Sequence, residues 1–213
     1  MNFKLALAAA GLAASSLAHS ATIDWNQWTS NATGTIGSGP VTITFTGQNG
    51  SGWSNSYPSY GPSGTWADGS VVANAPTGGI VLLSGGNQAV NTITFSQAVT
   101  NPVFAIWSLG QGGINASFDF IGATPVFVAG GPSNEYAGQP ITVSGNNVYG
   151  SEGNGTVEFV GTYTSISWTN PTYEYWYGFN VGIAAVAVPE PGSVGLLLAG
   201  LTLVGLARRR HHK

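Results

Sequence analysis

The side chains able to do chemistry in this sequence are few, and nearly all are carboxylates. Between Ala21 and Val188 the acids are Asp24, Asp68, Asp119, Glu135, Glu152, Glu158 and Glu174, and the same stretch holds no Lys, Arg, His or Cys. A Ser-His-Asp triad, a cysteine nucleophile and a Schiff-base lysine are therefore excluded from it. So is the His or Cys ligation that zinc sites use in nearly all cases. Carboxylate chemistry remains: two acids acting as proton donor and as nucleophile or base on a glycosidic bond, or as oxygen ligands for Ca²⁺, for which no EF-hand spacing is present. No pair stands out. Asp119 and Glu158 sit between apolar neighbours, as on the solvent face of a strand; Glu135 and Glu152 lie in Gly-rich loops, and Asp68-Gly69 resembles a turn. The first reading is a chain without catalytic residues, metal or cofactor. The alternative is a surface glycoside hydrolase using a carboxylate pair.

Aromatic side chains supply the other recognisable chemistry. Trp53, Tyr57, Tyr60 and Trp66 lie among Gly, Ser, Asn and Pro between Gly47 and Gly79. A long segment without strand pattern inside a compact domain is often functional, and exposed aromatics there would stack on sugar rings. The competing expectation is a lid, because Trp and Tyr commonly pack with only a polar edge wet. A second cluster holds Tyr173, Glu174, Tyr175, Trp176 and Tyr177. Alternation puts the three tyrosines on one strand face and Glu174 and Trp176 on the other, with an exposed tyrosine stripe or a cross-strand aromatic ladder as the outcome.

The elements that must position these residues read as strands. Val41-Thr42-Ile43-Thr44-Phe45-Thr46 alternates cleanly, as do Thr92 to Ser96, Phe118 to Phe120, Thr156 to Val160 and Ile166 to Trp168. Val103 to Trp107, Pro125 to Val128, Ile141 to Val143 and Trp176 to Ile183 predict further strands, some buried on both faces. Gly-Gly, Asn-Gly and Gly-Pro pairs punctuate them, and no helical stripe or fixed-period repeat occurs. The expected fold is all-β, an antiparallel β-sandwich or jelly roll. With no cysteine in the 213 residues, strand pairing and packing must stabilise it. With no cation, the body cannot displace counterions from phosphates, which excludes nucleic-acid binding.

The two ends differ from this body. Residues 1–20 combine Lys4, an apolar run from Leu5 to Leu17, and small Ala18 and Ser20 before Ala21, the layout of a signal peptide cut by signal peptidase. Near the other end Val188, Pro189, Glu190 and Pro191 predict extended backbone, since a residue before proline avoids the helical region. Val194 to Ala207 is uncharged and Leu-rich. At about 1.5 Å per residue it is short for a hydrocarbon core of about 30 Å, with Gly192 and Ser193 to extend it and Arg208 to snorkel. Arg208, Arg209 and Arg210 hold that end in the cytoplasm.

This order of Pro-Glu-Pro, short hydrophobic helix and Arg cluster over Val188 to Lys213 resembles the PEP-CTERM sorting signal. The resemblance implies processing by an exosortase, a membrane cysteine transpeptidase, near Pro-Glu-Pro. It also implies a Gram-negative, biofilm-forming host with exopolysaccharide loci. The segments PVFAIWSLG, EGNGTVEFVG, TSISW and YGFNVGI are similar to the β-domains often attached to this signal. The expected division is a signal peptide at 1–20, a β-sandwich ectodomain at 21–187 and the sorting signal at 188–213. The expected role is a cell-surface or extracellular matrix protein, structural or carbohydrate-interacting, that meets signal peptidase, exosortase and an exopolysaccharide. It touches the inner membrane through 194–207 before processing.

Overall fold

The computed structural model describes residues 21–37, 41–48, 52–54, 62–134 and 137–185. The signal-peptide, Pro-Glu-Pro, membrane-span and Arg-tail expectations all fall outside them, as do Tyr57, Tyr60 and Glu135. Among the described residues no helix is long and apolar enough to cross a membrane.

The regular structure of the described chain is almost entirely strand, in the order β1 (Ile23–Trp28), β2 (Thr33–Ile36), β3 (Val41–Thr46), β4 (Gly52–Ser54), β5 (Ile80–Leu83), β6 (Asn87–Thr100), β7 (Val103–Leu109), β8 (Ala116–Ile121), β9 (Val126–Gly130), β10 (Gln139–Pro140), β11 (Thr142–Ser144), β12 (Asn147–Gly150), β13 (Gly153–Glu158), β14 (Thr162–Asn170) and β15 (Tyr177–Ala184). One short 3-10 turn, Ser63–Thr65, precedes β5. Pairing is antiparallel except between β10 and β13. One sheet contains β4, β5, β15, β7, β13, β9 and β10; the other contains β2, β3, β6, β14, β8, β12 and β11. β1 joins them: Ile23 to Trp25 pair with β15, and Asn26 to Trp28 pair with β2. The expected antiparallel all-β architecture is the one found, with β1 wrapping it toward a barrel.

Alternation explains the packing. β3 buries Val41, Ile43 and Phe45 and exposes the threonines between them. β7 is buried at every position because its two faces meet different cores. Phe104, Ile106 and Leu109 enter the core between the sheets. There the Phe104 ring lies 5.2 to 6.1 Å from those of Phe120, Phe159, Trp168 and Phe179, spacings at which aromatic pairs attract. Val103, Ala105 and Trp107 enter a second core with Ile23, Trp25, Trp66, Val72 and Ile80. Trp66 is fully buried, its ring 4.6 Å from that of Trp107.

Strand register sorts the connections onto two poles. Val103 is opposite Gly182 and Glu158, Glu158 is opposite Val126, and Thr162 is opposite Thr100. The connections 101–102, 122–125 and 159–161 therefore share one end. Ile23 pairs with Ala184 there and the Ala185 N–H donates to Thr22 O at 2.8 Å, so the described chain both begins and ends at this terminal pole. The connections 84–86, 110–115, 151–152 and 171–176 gather at the opposite, distal pole. At about 3.3 Å per residue, β7 separates the poles by about 20 Å.

Candidate functional site

The distal pole is where unusual chemistry concentrates. The connection from β14 to β15 carries Glu174 into the protein, where it is 2 % exposed. Its backbone N–H donates to Ser84 O at 2.9 Å, and its Oε2 accepts from the Gly110 N–H at 2.6 Å. Through its backbone N–H and its side chain, Glu174 thus ties together the connections leaving β5, β7 and β14. Burial pushes the Glu174 carboxyl up to about 8; the Gly110 N–H opposes the shift, and the charge of Glu152 adds to it. Glu174 is therefore mostly protonated at neutral pH.

Glu152 arrives from the connection before β13. Its Oε2 accepts from Ser108 Oγ at 2.7 Å. Asn154 sets the geometry of this pair: its Oδ1 accepts from the Ser108 N–H at 2.9 Å, and its Nδ2 donates to the carbonyls of Glu152 and Ala137 at 3.2 and 3.3 Å. Ser108, Ala137 and Glu152 all have positive φ, at 52°, 53° and 58°, backbone that non-glycine residues adopt at a cost of order 1–3 kcal/mol. Gly110 has φ 78°, and a Cβ there would run into the carbonyl of Gly150, so the donor to Glu174 has to be a glycine. Tyr177 is fully buried beside this group with no hydrogen-bond partner for its hydroxyl among the described residues. Burial, and then the Glu174 charge, raise its proton affinity.

Above this buried set the same pole displays Tyr173 and Tyr175, 66 % and 79 % exposed. Gly86, with φ 77°, lies against Tyr173: a Cβ there would come within 2.6 Å of the tyrosine Cβ.

The structure places the sequence-derived candidates differently from one another. Trp53 lies on edge strand β4, 37 % exposed. Trp66 does not join an exposed platform. It belongs to the lid over the second core, and its carbonyl accepts from Thr156 Oγ1 at 2.8 Å. The tyrosine stripe is corrected as well. Residues 171–176 are a connection, not a strand, so the alternation does not run through them. Tyr173 and Tyr175 are exposed, whereas Tyr177 opens β15 and is buried, as is Glu174. Asp68 is a turn residue as read: its Oδ1 accepts from the N–H groups of Ser70, Val71 and Val72 at 2.9 to 3.1 Å. Burial acts to raise its carboxyl, but these bonds and the Ser70 hydroxyl outweigh it and hold it down at about 2. The Glu158 carboxyl is raised by burial, opposed by a hydrogen bond from Asn101 and helped by the Asp68 charge. Nothing local in the sequence marks Ser108 and Asn154 as site residues beyond their place in the Gly-rich runs SLGQGG and SEGNG.

Fold and site together define an all-β domain without cations that presents one pole away from its chain ends. Comparison with protein-family models adds the particular assignment: residues 187–210 match the PEP-CTERM protein-sorting motif. The chain thus carries a PEP-CTERM sorting motif, which implies export to the cell envelope or surface and sorting by an exosortase. The matched span includes Val188, Pro189, Glu190, Pro191 and Arg208 to Arg210. Searches of curated proteins and of solved structures found no match.

Proposed function

We propose that this protein is a carbohydrate-interacting component of an exopolysaccharide matrix, engaging neutral glycan through the distal pole. The observation that carries the reading is the pair Tyr173 and Tyr175, held out at the pole opposite both chain ends. Tyrosine offers a flat apolar face for a sugar ring and a hydroxyl for its polar rim. Trp53 at the edge of the first sheet, with Tyr57 and Tyr60, is the other candidate surface. Export begins with signal peptidase removing 1–20. The segment 194–207 then holds the chain in the inner membrane until exosortase cleaves near Pro189. Intact-mass measurement on protein recovered from the host tests the processing: a mature species keeping Arg208 to Arg210 rejects exosortase cleavage.

The Glu152–Glu174 grouping supports a second reading, a glycoside hydrolase with Glu174 as acid and Glu152 as the second carboxylate of the pair. It stands second because Glu174 is enclosed and engaged with backbone. Reducing-sugar release from a neutral polysaccharide that Glu174→Gln abolishes would establish it; no release from the native chain rejects it.

A further inference from the structure

The terminal pole carries a surface whose composition differs from the rest of the domain. Two of its three connections between the sheets present exposed apolar side chains at or beside their tips. Ile121 closes β8 and Val126 opens β9, on either side of 122–125, and Val160 lies in 159–161; they are 53 %, 47 % and 61 % exposed. The next residue, Phe127, is 46 % exposed. Reciprocal bonds hold two of these connections together: the Asn101 N–H donates to Gly161 O and the Gly161 N–H to Asn101 Oδ1, both at 2.8 Å. Val160 is therefore displayed on a fixed frame.

The described chain leaves this same pole at Ala185, nine residues before Val194 and the apolar stretch ending at Ala207. At most about 3.6 Å per residue separates the two, which keeps the pole within roughly 30 Å of any bilayer holding that stretch. The charged groups at the pole are the carboxylates Asp24, Asp68 and Glu158, with no cation between Ala21 and Val188. Attraction to a surface there has to come from apolar burial, and anionic lipid is disfavoured.

We propose that the terminal pole is a lipid-docking surface, seating Ile121, Val126 and Val160 in the interface of a zwitterionic bilayer while the chain is anchored. The proposal rests on the anchoring through 194–207 described above. Docking fixes the orientation of the domain, with Tyr173 and Tyr175 pointing away from the membrane. Insertion driven by apolar area is insensitive to ionic strength.

The absence of cysteine allows clean single-site labelling of the full chain. Val160→Cys, Ile121→Cys and Tyr175→Cys would each carry an environment-sensitive fluorophore, in phosphatidylcholine–phosphatidylethanolamine vesicles containing nitroxide-labelled lipid. The expected result is co-flotation of the chain with vesicles and several-fold stronger quenching at 160 and 121 than at 175, unchanged by salt. In the folded triple variant Ile121→Ser, Val126→Ser, Val160→Ser, flotation persists while a label at position 124 loses its quenching. Flotation with equal quenching at 160 and 175 overturns the docking alone. Failure to float overturns the anchoring and the docking with it. Energy transfer between labelled copies through position 160 places a second copy on the surface and also overturns the proposal.

Discussion

The two poles of one sandwich solve opposite problems. At the terminal pole, connections are short, Asn101 and Gly161 satisfy each other, and Asp68 closes its turn with three backbone N–H groups. At the distal pole a carboxyl is buried, a tyrosine hydroxyl has no partner among the described residues, and three non-glycine residues hold positive φ, against Asn101 alone at the terminal pole. Strain and buried polar groups of this kind persist where the surroundings over-determine them, and they cluster at functional surfaces. The terminal pole is built for stability close to the chain ends. The distal pole spends stability to hold one connection, and with it Tyr173 and Tyr175, in a set position.

The contrast can be broken most severely through the core that both poles share. Trp66→Ala empties a site packed on Trp107 and should cost about 3–5 kcal/mol, read as a large fall in Tm. Tyr173→Ala and Tyr175→Ala should stay within about 0.5 kcal/mol, as exposed substitutions do. Equal losses would show that the tyrosines are packed rather than displayed.

Next in size is the pH response, in which the poles have opposite signs. Glu174 binds its proton with a pKa of about 8 when folded and at its ordinary 4.5 when unfolded. The folded domain therefore holds the extra proton between those values. The stability from this group is complete below about 4.5 and is lost as pH rises through about 8, by at most about 1.4 kcal/mol per pH unit. Melting curves across this range should fall with pH, and Glu174→Gln, which keeps an acceptor for Gly110, should flatten them. A native slope that survives the substitution would remove Glu174 as its source.

The smallest expected effect is at Asp68. Its folded value of about 2 lies below its ordinary 3.8, so its contribution is present above about 3.8 and lost as pH falls through about 2. The side chain is exposed, so solvent screening keeps the effect small. Asp68→Asn should lower Tm slightly at neutral pH and reduce the loss of stability in acid.

Much of the sandwich was legible because alternation is a local signal. Val41 to Thr46 and Ile166 to Trp168 bury the faces their patterns indicate, and the continuous apolar run Val103 to Trp107 marks a strand covered on both sides. The distal pole was not legible in the same way. Placing Tyr173, Tyr175 and Tyr177 on one face presumes that a strand has already begun, yet β15 begins only at Tyr177, and a connection resets the phase. Glu174 has no visible partner in the sequence until Gly110, 64 residues away, is brought against it. The pairing of Ser108 with Glu152 likewise depends on β13 lying beside β7. The sorting signal was legible throughout, because order and composition carry it without tertiary contacts.

The most direct test of the account is retention of the mature chain on immobilised neutral polysaccharide, over a salt series, for three proteins: native, Tyr173→Ala/Tyr175→Ala, and the terminal-pole triple serine variant. With no cation between Ala21 and Val188, the account predicts retention nearly independent of ionic strength, lost in the tyrosine variant and kept in the serine variant. Retention unaffected by loss of both tyrosines would contradict it. So would tight, chelator-insensitive binding to an acidic polymer that weakens steeply with salt.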